Sequence, residues 1–165
     1  MIKNFLLSLL VVCSFHISCY ASIDNEQIAL GGLRLASNVD YALKIYGQPR
    51  LYNTKPSYGD LQIEYGDSFH LYYFAESRFT DKSRPNNYLL KCVFVDKDNG
   101  ISTPAGIKVG SPESMLWECY GRPDDCREKN GQMIYMYMGN TYSRDRIYFA
   151  VKDKQVTCIT CDIYW

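Results

Sequence analysis

A short segment occurs twice along this chain of 165 residues. The first copy, Gly32–Pro49, begins Gly-Leu-Arg-Leu-Ala-Ser and ends Tyr-Gly-Gln-Pro. The second copy, Gly106–Pro123, begins Gly-Ile-Lys-Val-Gly-Ser and ends Tyr-Gly-Arg-Pro, so matched positions are always 74 residues apart. A constant offset with matching residue types indicates a duplicated structural unit. None of the matched residues forms a catalytic pattern, which favours a binding or scaffolding role.

Each copy predicts a short helix with marked ends. Ser37 and Ser111 are placed as N-caps, whose hydroxyl oxygens accept from the first free amides of a helix. Gly47 and Gly121 follow the helices, where a positive φ ends the helix, and the prolines behind them prevent continuation. The residues at three-and-four spacing form one apolar face in each helix: Val39, Ala42, Leu43 and Tyr46, then Met115, Leu116, Cys119 and Tyr120.

After each helix the hydrophobic period changes to two, which is typical of strands. The predicted strands are 61–65, 69–74 and 88–95 in the first copy, and 132–138, 146–151 and 155–163 in the second. Short turns between them predict antiparallel meanders. We therefore expect an α+β fold of two tandem helix-plus-antiparallel-meander repeats, with helices on one face of a shared or adjacent curved sheet. The repeats would span 22–100 and 101–165.

This combination resembles the β-lactamase-inhibitor-protein-like (BLIP-like) superfamily, which includes the small outer-membrane assembly lipoproteins of the SmpA/OmlA type. The resemblance rests on the tandem Gly-x-x-x-x-Ser, short helix and Tyr-Gly-x-Pro units, and it covers residues 29–165. It implies a doubled helix-helix-sheet unit and non-catalytic protein binding. The long 65–87 region and the unmatched cysteines depart from the family pattern.

The first 21 residues predict a secretory signal peptide. One lysine precedes an apolar run from Phe5 to Val12, and the small residue Ala21 suits cleavage. Lipid attachment at Cys19 is the alternative, and it would tether the product to a membrane. The sequence thus predicts an extracytoplasmic protein, periplasmic or secreted.

The charge balance gives no reason to expect nucleic acid as a partner. Lysine and arginine total 18, aspartate and glutamate total 18, and no basic run occurs. Neither a phosphate-binding glycine loop nor a calcium-loop spacing is present, so the sequence predicts no cofactor and no metal. We expect one compact unit or two fused halves.

Two motifs contain residue types that catalysis or metal binding uses. His70 lies within an aromatic strand with no flanking nucleophile motif, so a satisfied strand histidine is the default interpretation. Cys158 and Cys161 lie three residues apart in a predicted strand, so their side chains should project from opposite faces. That spacing favours buried structural cysteines over a redox or zinc pair. A bridge between Cys119 and Cys126 would require a sharp chain reversal.

Tyrosine is the abundant aromatic residue, with 15 copies against 7 phenylalanines and 2 tryptophans. If Ile134, Met136 and Met138 face the helices, the alternate residues of that strand face outward and offer contact area with hydrogen-bonding tips. The alternative is that these rings pack within the fold, since a one-residue slip exchanges the faces. The same alternation places either Tyr72 or Tyr73 on the outward face. The residues predicted to contact a partner are Tyr73, Met133, Tyr135, Tyr137 and Tyr164.

The leading hypothesis is therefore an exported, non-enzymatic module of the bacterial cell envelope that binds a protein through an aromatic sheet face. A small envelope redox or hydrolytic protein using Cys158 or Cys161 is one alternative. A purely structural envelope component is the other.

Overall fold

The computed structural model describes residues 23–75, 87–140 and 144–163. Within these ranges the chain forms a short 3-10 turn, two α-helices and ten strands. The turn is Asn25–Gln27, and the helices are α1 (Val39–Tyr46) and α2 (Glu113–Tyr120). The strands are β1 (Ala29–Leu30), β2 (Leu33–Arg34), β3 (Leu51–Asn53), β4 (Leu61–Tyr65), β5 (Phe69–Ala75), β6 (Tyr88–Val95), β7 (Asp125–Lys129), β8 (Gln132–Met138), β9 (Asp145–Lys152) and β10 (Gln155–Ile163).

Eight of these strands form one antiparallel sheet in the order β3-β4-β5-β6-β10-β9-β8-β7. The first four strands follow one another along the chain, and so do the last four. The two runs join where β6 pairs with β10, with Val95 opposite Ile159. Strands β1 and β2 form a separate two-stranded hairpin. In the described residues, β3 and β7 are therefore the edges of the large sheet.

The expected architecture of tandem helix-plus-meander repeats is wrong. Strands dominate the described residues, and eight of the ten strands belong to one continuous sheet. The sequence repetition is confined to a turn, an eight-residue helix and a terminal glycine in each copy. The meanders merge because pairing β6 with β10 satisfies backbone groups that two separate sheets would leave unpaired at their edges.

The helix ends show what the duplicated segment does. Gly47 and Gly121 end the helices with φ of 74° and 69°, as the sequence predicted. The predicted N-caps are wrong by one residue, because Asn38 caps α1 through a 3.0 Å bond from the Tyr41 amide, and α2 starts after Pro112 without a side-chain cap. The two serines instead close the preceding turns: the Ser37 hydroxyl donates to a carbonyl, and the Ser111 hydroxyl accepts from an amide. The repeated serine is thus a turn residue.

Both helices pack against the same face of the sheet, here called the helix-covered face. Tyr46 of α1 contacts the ring of Phe69, and Tyr120 of α2 contacts the ring of Phe149. Phe69 and Phe149 lie in one cross-strand row through β6 and β10. Alternate residues along these strands form the buried core, which includes Leu61, Ile63, Leu71, Val93, Ile147 and Ile159. The remaining residues project from the opposite side, the helix-free face.

Candidate functional site

The helix-free face carries a cluster of aromatic rings over β5 and β6, which we call the aromatic ladder: Tyr58, Tyr72, Phe74 and Phe94. Tyr58 contacts Tyr72 and Phe74 edge-on, with ring centroids 5.6 Å and 5.3 Å apart. Tyr72 and Phe94 are nearly parallel at 6.0 Å. Tyr58 is 50% exposed, and the strand members are half-buried. Among the described residues, no helix packs over these rings.

A polar cluster centred on Glu64 borders the aromatic ladder. The Glu64 carboxylate is only 7% exposed and accepts from the Gln62 amide at 2.7 Å and from the Arg50 guanidinium. The His70 Nδ1 atom lies 3.1 Å from the same carboxylate, and the imidazole stacks on Phe94 at 4.5 Å. A buried carboxylate is stable only when it is paired and hydrogen-bonded, and these contacts provide both. This arrangement fixes the ring of His70 beside the aromatic ladder.

Three of the five residues predicted to contact a partner lie under the helices. Tyr73, Tyr135 and Tyr137 are buried on the helix-covered face, with exposures of 0%, 8% and 1%. The hydroxyl of Tyr135 donates to the Glu113 carboxylate on α2, and the ring of Tyr137 lies 5.3 Å from that of Tyr120. The predicted orientation of β8 was wrong by one residue. Aromatic rings on α2 pack against the tyrosines of β8, so these tyrosines belong to the core. Burial raises the pKa of Tyr137, and the pKa of Tyr73 rises for the same reason.

The other two predicted residues give no support for an aromatic contact surface. Met133 is partly buried and packs against the core on the same helix-covered face. Tyr164 lies outside the described residues. The residues expected to face the helices, Ile134, Met136 and Met138, lie instead on the helix-free face. Met138 is 37% exposed, whereas Ile134 and Met136 are half-buried.

A second feature of the helix-free face is a depression across β7, β8, β9 and β10, here called the basic depression. Its volume is about 430 Å³. Apolar groups of Ile134, Tyr148 and Ala150 line it, with Arg127 and Lys129 on one side and Asp162 on another. Burial raises the pKa of the Asp162 carboxyl, although the neighbouring Arg146 opposes that shift.

Cys158 and Cys161 have the character of structural thiols. Cys158 pairs across the sheet with Ala150, whereas Cys161 is fully buried opposite Ile147, so their side chains occupy opposite faces as predicted. Burial raises the pKa of both thiols, which disfavours the reactive thiolate. Cys119 and Cys126 are exposed and unbridged, and the Cys119 sulfur lies 3.9 Å from a loop carbonyl.

One sequence signal for the basic depression was available. Asn130 and Gly131 both have positive φ, 53° and 72°, and connect β7 to β8. An Asn-Gly pair between two strands is a strong hairpin signal because both residues tolerate that conformation. Recognising it would have identified Asp125–Lys129 as a strand and placed its cations beside β8.

No helix among the described residues is long and apolar enough to cross a membrane. No family model matches the chain, and no curated protein matches it.

Two solved structures are similar to this chain at low identity. A DUF4309 family protein (YjgB) from Bacillus subtilis subsp. subtilis str. 168 is 14% identical, with 81% of this chain and 83% of that chain covered and a TM-score of 0.43. A cysteine-rich secretory protein (SAV1118) from Staphylococcus aureus subsp. aureus Mu50 is 10% identical, with a TM-score of 0.39. That match covers 78% of this chain and 44% of the other. Both TM-scores are too low to establish a shared fold, so neither similarity carries functional information.

Proposed function

We propose that this chain is an exported, non-catalytic protein-binding module of the bacterial cell envelope that recognises its partner through the helix-free face. The observation that carries the proposal is the aromatic ladder, whose rings lie on a sheet face that no described helix covers. Aromatic side chains dominate protein recognition because they bury large areas at low cost in conformational entropy. The signal-peptide pattern of residues 1–21 is consistent with export.

The polar cluster supports binding more than catalysis. The carboxylate of Glu64 accepts from Gln62 and Arg50 and contacts His70, so both of its oxygens have partners within the fold. The His70 ring is held between that carboxylate and Phe94. Such a fixed border positions neighbouring rings for a partner, and a preorganised surface loses less freedom on binding.

The test is a capture experiment on the mature protein with one matched pair of variants. Tyr72→Ser removes a ring of the aromatic ladder, and Tyr41→Ser removes a ring that is 45% exposed on α1, on the opposite side of the sheet. We expect a protein captured from the extracytoplasmic fraction to bind Tyr72→Ser about tenfold or more weakly, since truncating an interface aromatic costs about 1–2 kcal/mol or more. Binding to Tyr41→Ser should be unchanged.

The opposite pattern would refute the proposal. If a partner binds Tyr72→Ser as tightly as the parent chain, the aromatic ladder is not the recognition surface. If both variants fold by circular dichroism and no protein is captured by any of the three chains, a structural role in the envelope is the better interpretation.

A further inference from the structure

Strand β7 is an edge of the large sheet, and every one of its residues is exposed. Among the described residues it pairs only with β8. The other edge, β3, has three residues, whereas β7 has five: Asp125, Cys126, Arg127, Glu128 and Lys129. An edge strand offers unpaired N–H and C=O groups to any strand that can align with it. Of the two edges, β7 is therefore the longer template for a further strand.

The turn between β7 and β8 determines which main-chain groups of β7 point away from the sheet. Both residues of this two-residue turn have positive φ, as a tight hairpin turn of type I′ requires. The pair that closes such a turn, Lys129 and Gln132, is hydrogen-bonded, and every second pair along the hairpin is hydrogen-bonded in the same way. The N–H and C=O groups of the alternate residues, Cys126 and Glu128, therefore point outward.

The side chains of β7 are complementary in charge to a second copy of the same strand. Asp125 and Arg127 lie opposite Met136 and Ile134, which places both on the helix-free face. Neither forms an ion pair with any described residue, and along the strand they are about 7 Å apart. If two copies pair antiparallel with Cys126 opposite Cys126, each Asp125 lies opposite the Arg127 of the other copy. Directly opposite residues have Cβ atoms only about 4.5–5.5 Å apart, so symmetry gives two close pairs of opposite charge.

The alternative alignments are less favourable. Three antiparallel alignments bring the outward-pointing main-chain groups of Cys126 and Glu128 together. Centring the pair on Arg127 places two guanidinium groups opposite each other, and centring it on Glu128 places two carboxylates opposite each other, which is destabilising. Centring it on Cys126 creates no pair of like charges within β7. Glu128 then approaches Asp124 of the second copy, whose carboxylate already accepts from a β8 amide at 2.8 Å.

The helix-covered side of this edge carries an exposed ring that a second copy would cover. Cys126 lies opposite Tyr135, so its side chain projects to the helix-covered side. Trp117 of α2 is 45% exposed, and it lines a cavity of about 350 Å³ together with Cys126. A two-fold axis through the Cys126 pair brings both Trp117 rings to the same side of the interface. Burial of these rings would add apolar contact to the main-chain hydrogen bonds.

We infer that two copies of this chain associate through β7, which continues the antiparallel sheet across a two-fold axis at Cys126. The Asp125 carboxylate of each copy pairs with the Arg127 guanidinium of the other, and the two Cys126 main chains exchange N–H···O bonds. This inference goes beyond the proposed function, because its occupant is a second copy and its place is the sheet edge. One carboxylate uses two of the five N–H donors of Arg127, so Arg127 and Lys129 still face any further acidic partner.

The test is sedimentation of the reduced, mature protein across a range of concentrations, with charge reversals on β7. Asp125→Arg and Arg127→Asp each place like charges opposite each other at both contacts, so each should weaken the dimer about tenfold or more. The double variant should recover the parent affinity. An equal mixture of the two single variants should form a heterodimer, because one chain then carries two arginines and the other two aspartates. Lys55→Asp, a charge reversal at an exposed residue beside β3, is the control and should leave the dimer unchanged.

A disulfide across the axis tests the alignment. Hydrogen-bonded antiparallel pairs have Cα atoms about 5.5 Å apart, which suits a disulfide. Oxidised glutathione takes two electrons and two protons from the two Cys126 thiols and is reduced to two molecules of glutathione. We expect covalent dimers that Cys126→Ser abolishes and that Cys119→Ser, at another exposed cysteine, leaves unchanged.

Several results would overturn the inference. They are a chain that stays monomeric at millimolar concentration, single reversals without effect, a double variant that does not recover, and a covalent dimer that depends on Cys119. Dimerisation that persists in Tyr72→Ser is expected, because the aromatic ladder lies on β5 and β6, away from the β7 edge.

Discussion

Removing one hydroxyl from Tyr73 should stabilise this protein. Tyr73 lies in β5 on the helix-covered face with 0% exposure, and its hydroxyl is buried without a hydrogen-bond partner among the described residues. An unsatisfied buried hydroxyl costs about 1–3 kcal/mol relative to the hydrated state. Tyr73→Phe removes that cost while keeping the ring and its packing. We expect the free energy of unfolding to rise by about 1–2 kcal/mol.

Tyr137 provides the matched control, because the same chemical change should have the opposite sign there. Its ring is equally buried, at 1% exposure, but its hydroxyl donates to the Gly121 carbonyl at 3.2 Å. Tyr137→Phe breaks that bond, so the free energy of unfolding should fall by about 1 kcal/mol. Gly121 is exposed, and water can therefore replace the lost donor at its carbonyl.

Equilibrium unfolding in urea measures both changes on one scale. The comparison is valid if the slope of free energy against urea is the same in the two variants, since a constant slope means that the folded and unfolded states keep their compactness. A Tyr73→Phe variant that is neutral or less stable would refute the reasoning. That result would mean that the hydroxyl has a partner in solution, such as an internal water.

Three other perturbations follow from the structure. Gly59→Ala should lower the free energy of unfolding by about 1–3 kcal/mol in urea, because Gly59 has a φ of +80° and a Cβ there would lie 2.9 Å from a backbone carbonyl of β5. Burial, with help from Glu113, raises the pKa of Tyr135 to about 12, so its contribution to stability should persist below about pH 10 and decline toward pH 12. Absorbance titration near 295 nm should show that Glu113→Gln lowers that pKa, and an unchanged pKa would contradict the assignment. Cys161, which is fully buried, should not react with an aromatic disulfide reagent until the protein unfolds, and rapid reaction in the native state would contradict its placement.

Several strands were predicted correctly from the sequence, because hydrophobic residues alternate along them or turn residues mark their ends. The bounds of β6, β8 and β10 agree with the predicted 88–95, 132–138 and 155–163. The pairing of β6 with β10 was not predictable, because it joins residues more than sixty positions apart and many strand edges could in principle pair. That one long-range contact replaces two expected repeats with a single sheet.

The phase of β8 shows why the candidate site was misplaced. One face of the strand carries Met133, Tyr135 and Tyr137, and the other carries Ile134 and Met136, so both faces are apolar and hydrophobicity cannot distinguish them. Tertiary contacts decide the phase: rings on α2 pack against the tyrosines. The edge strand β7 was missed for the opposite reason. Its five residues are all exposed, so it has no apolar alternation to recognise.

The helix-free face divides into two chemically different halves. The half formed by β4, β5 and β6 carries the aromatic ladder and the hydrogen-bonded Glu64 cluster, and the half formed by β7, β8 and β9 carries Arg127 and Lys129 beside an apolar floor. Strand β10 contributes Thr160 and Asp162 between them. A partner that places acidic groups near Arg127 and Lys129 and an apolar surface against the aromatic ladder would contact both halves at once. The two contacts would then reinforce each other, since the second forms within an already associated complex. Each single variant already loses this reinforcement, so removing the Tyr72 ring and the two cations together should weaken capture by less than the product of the separate losses.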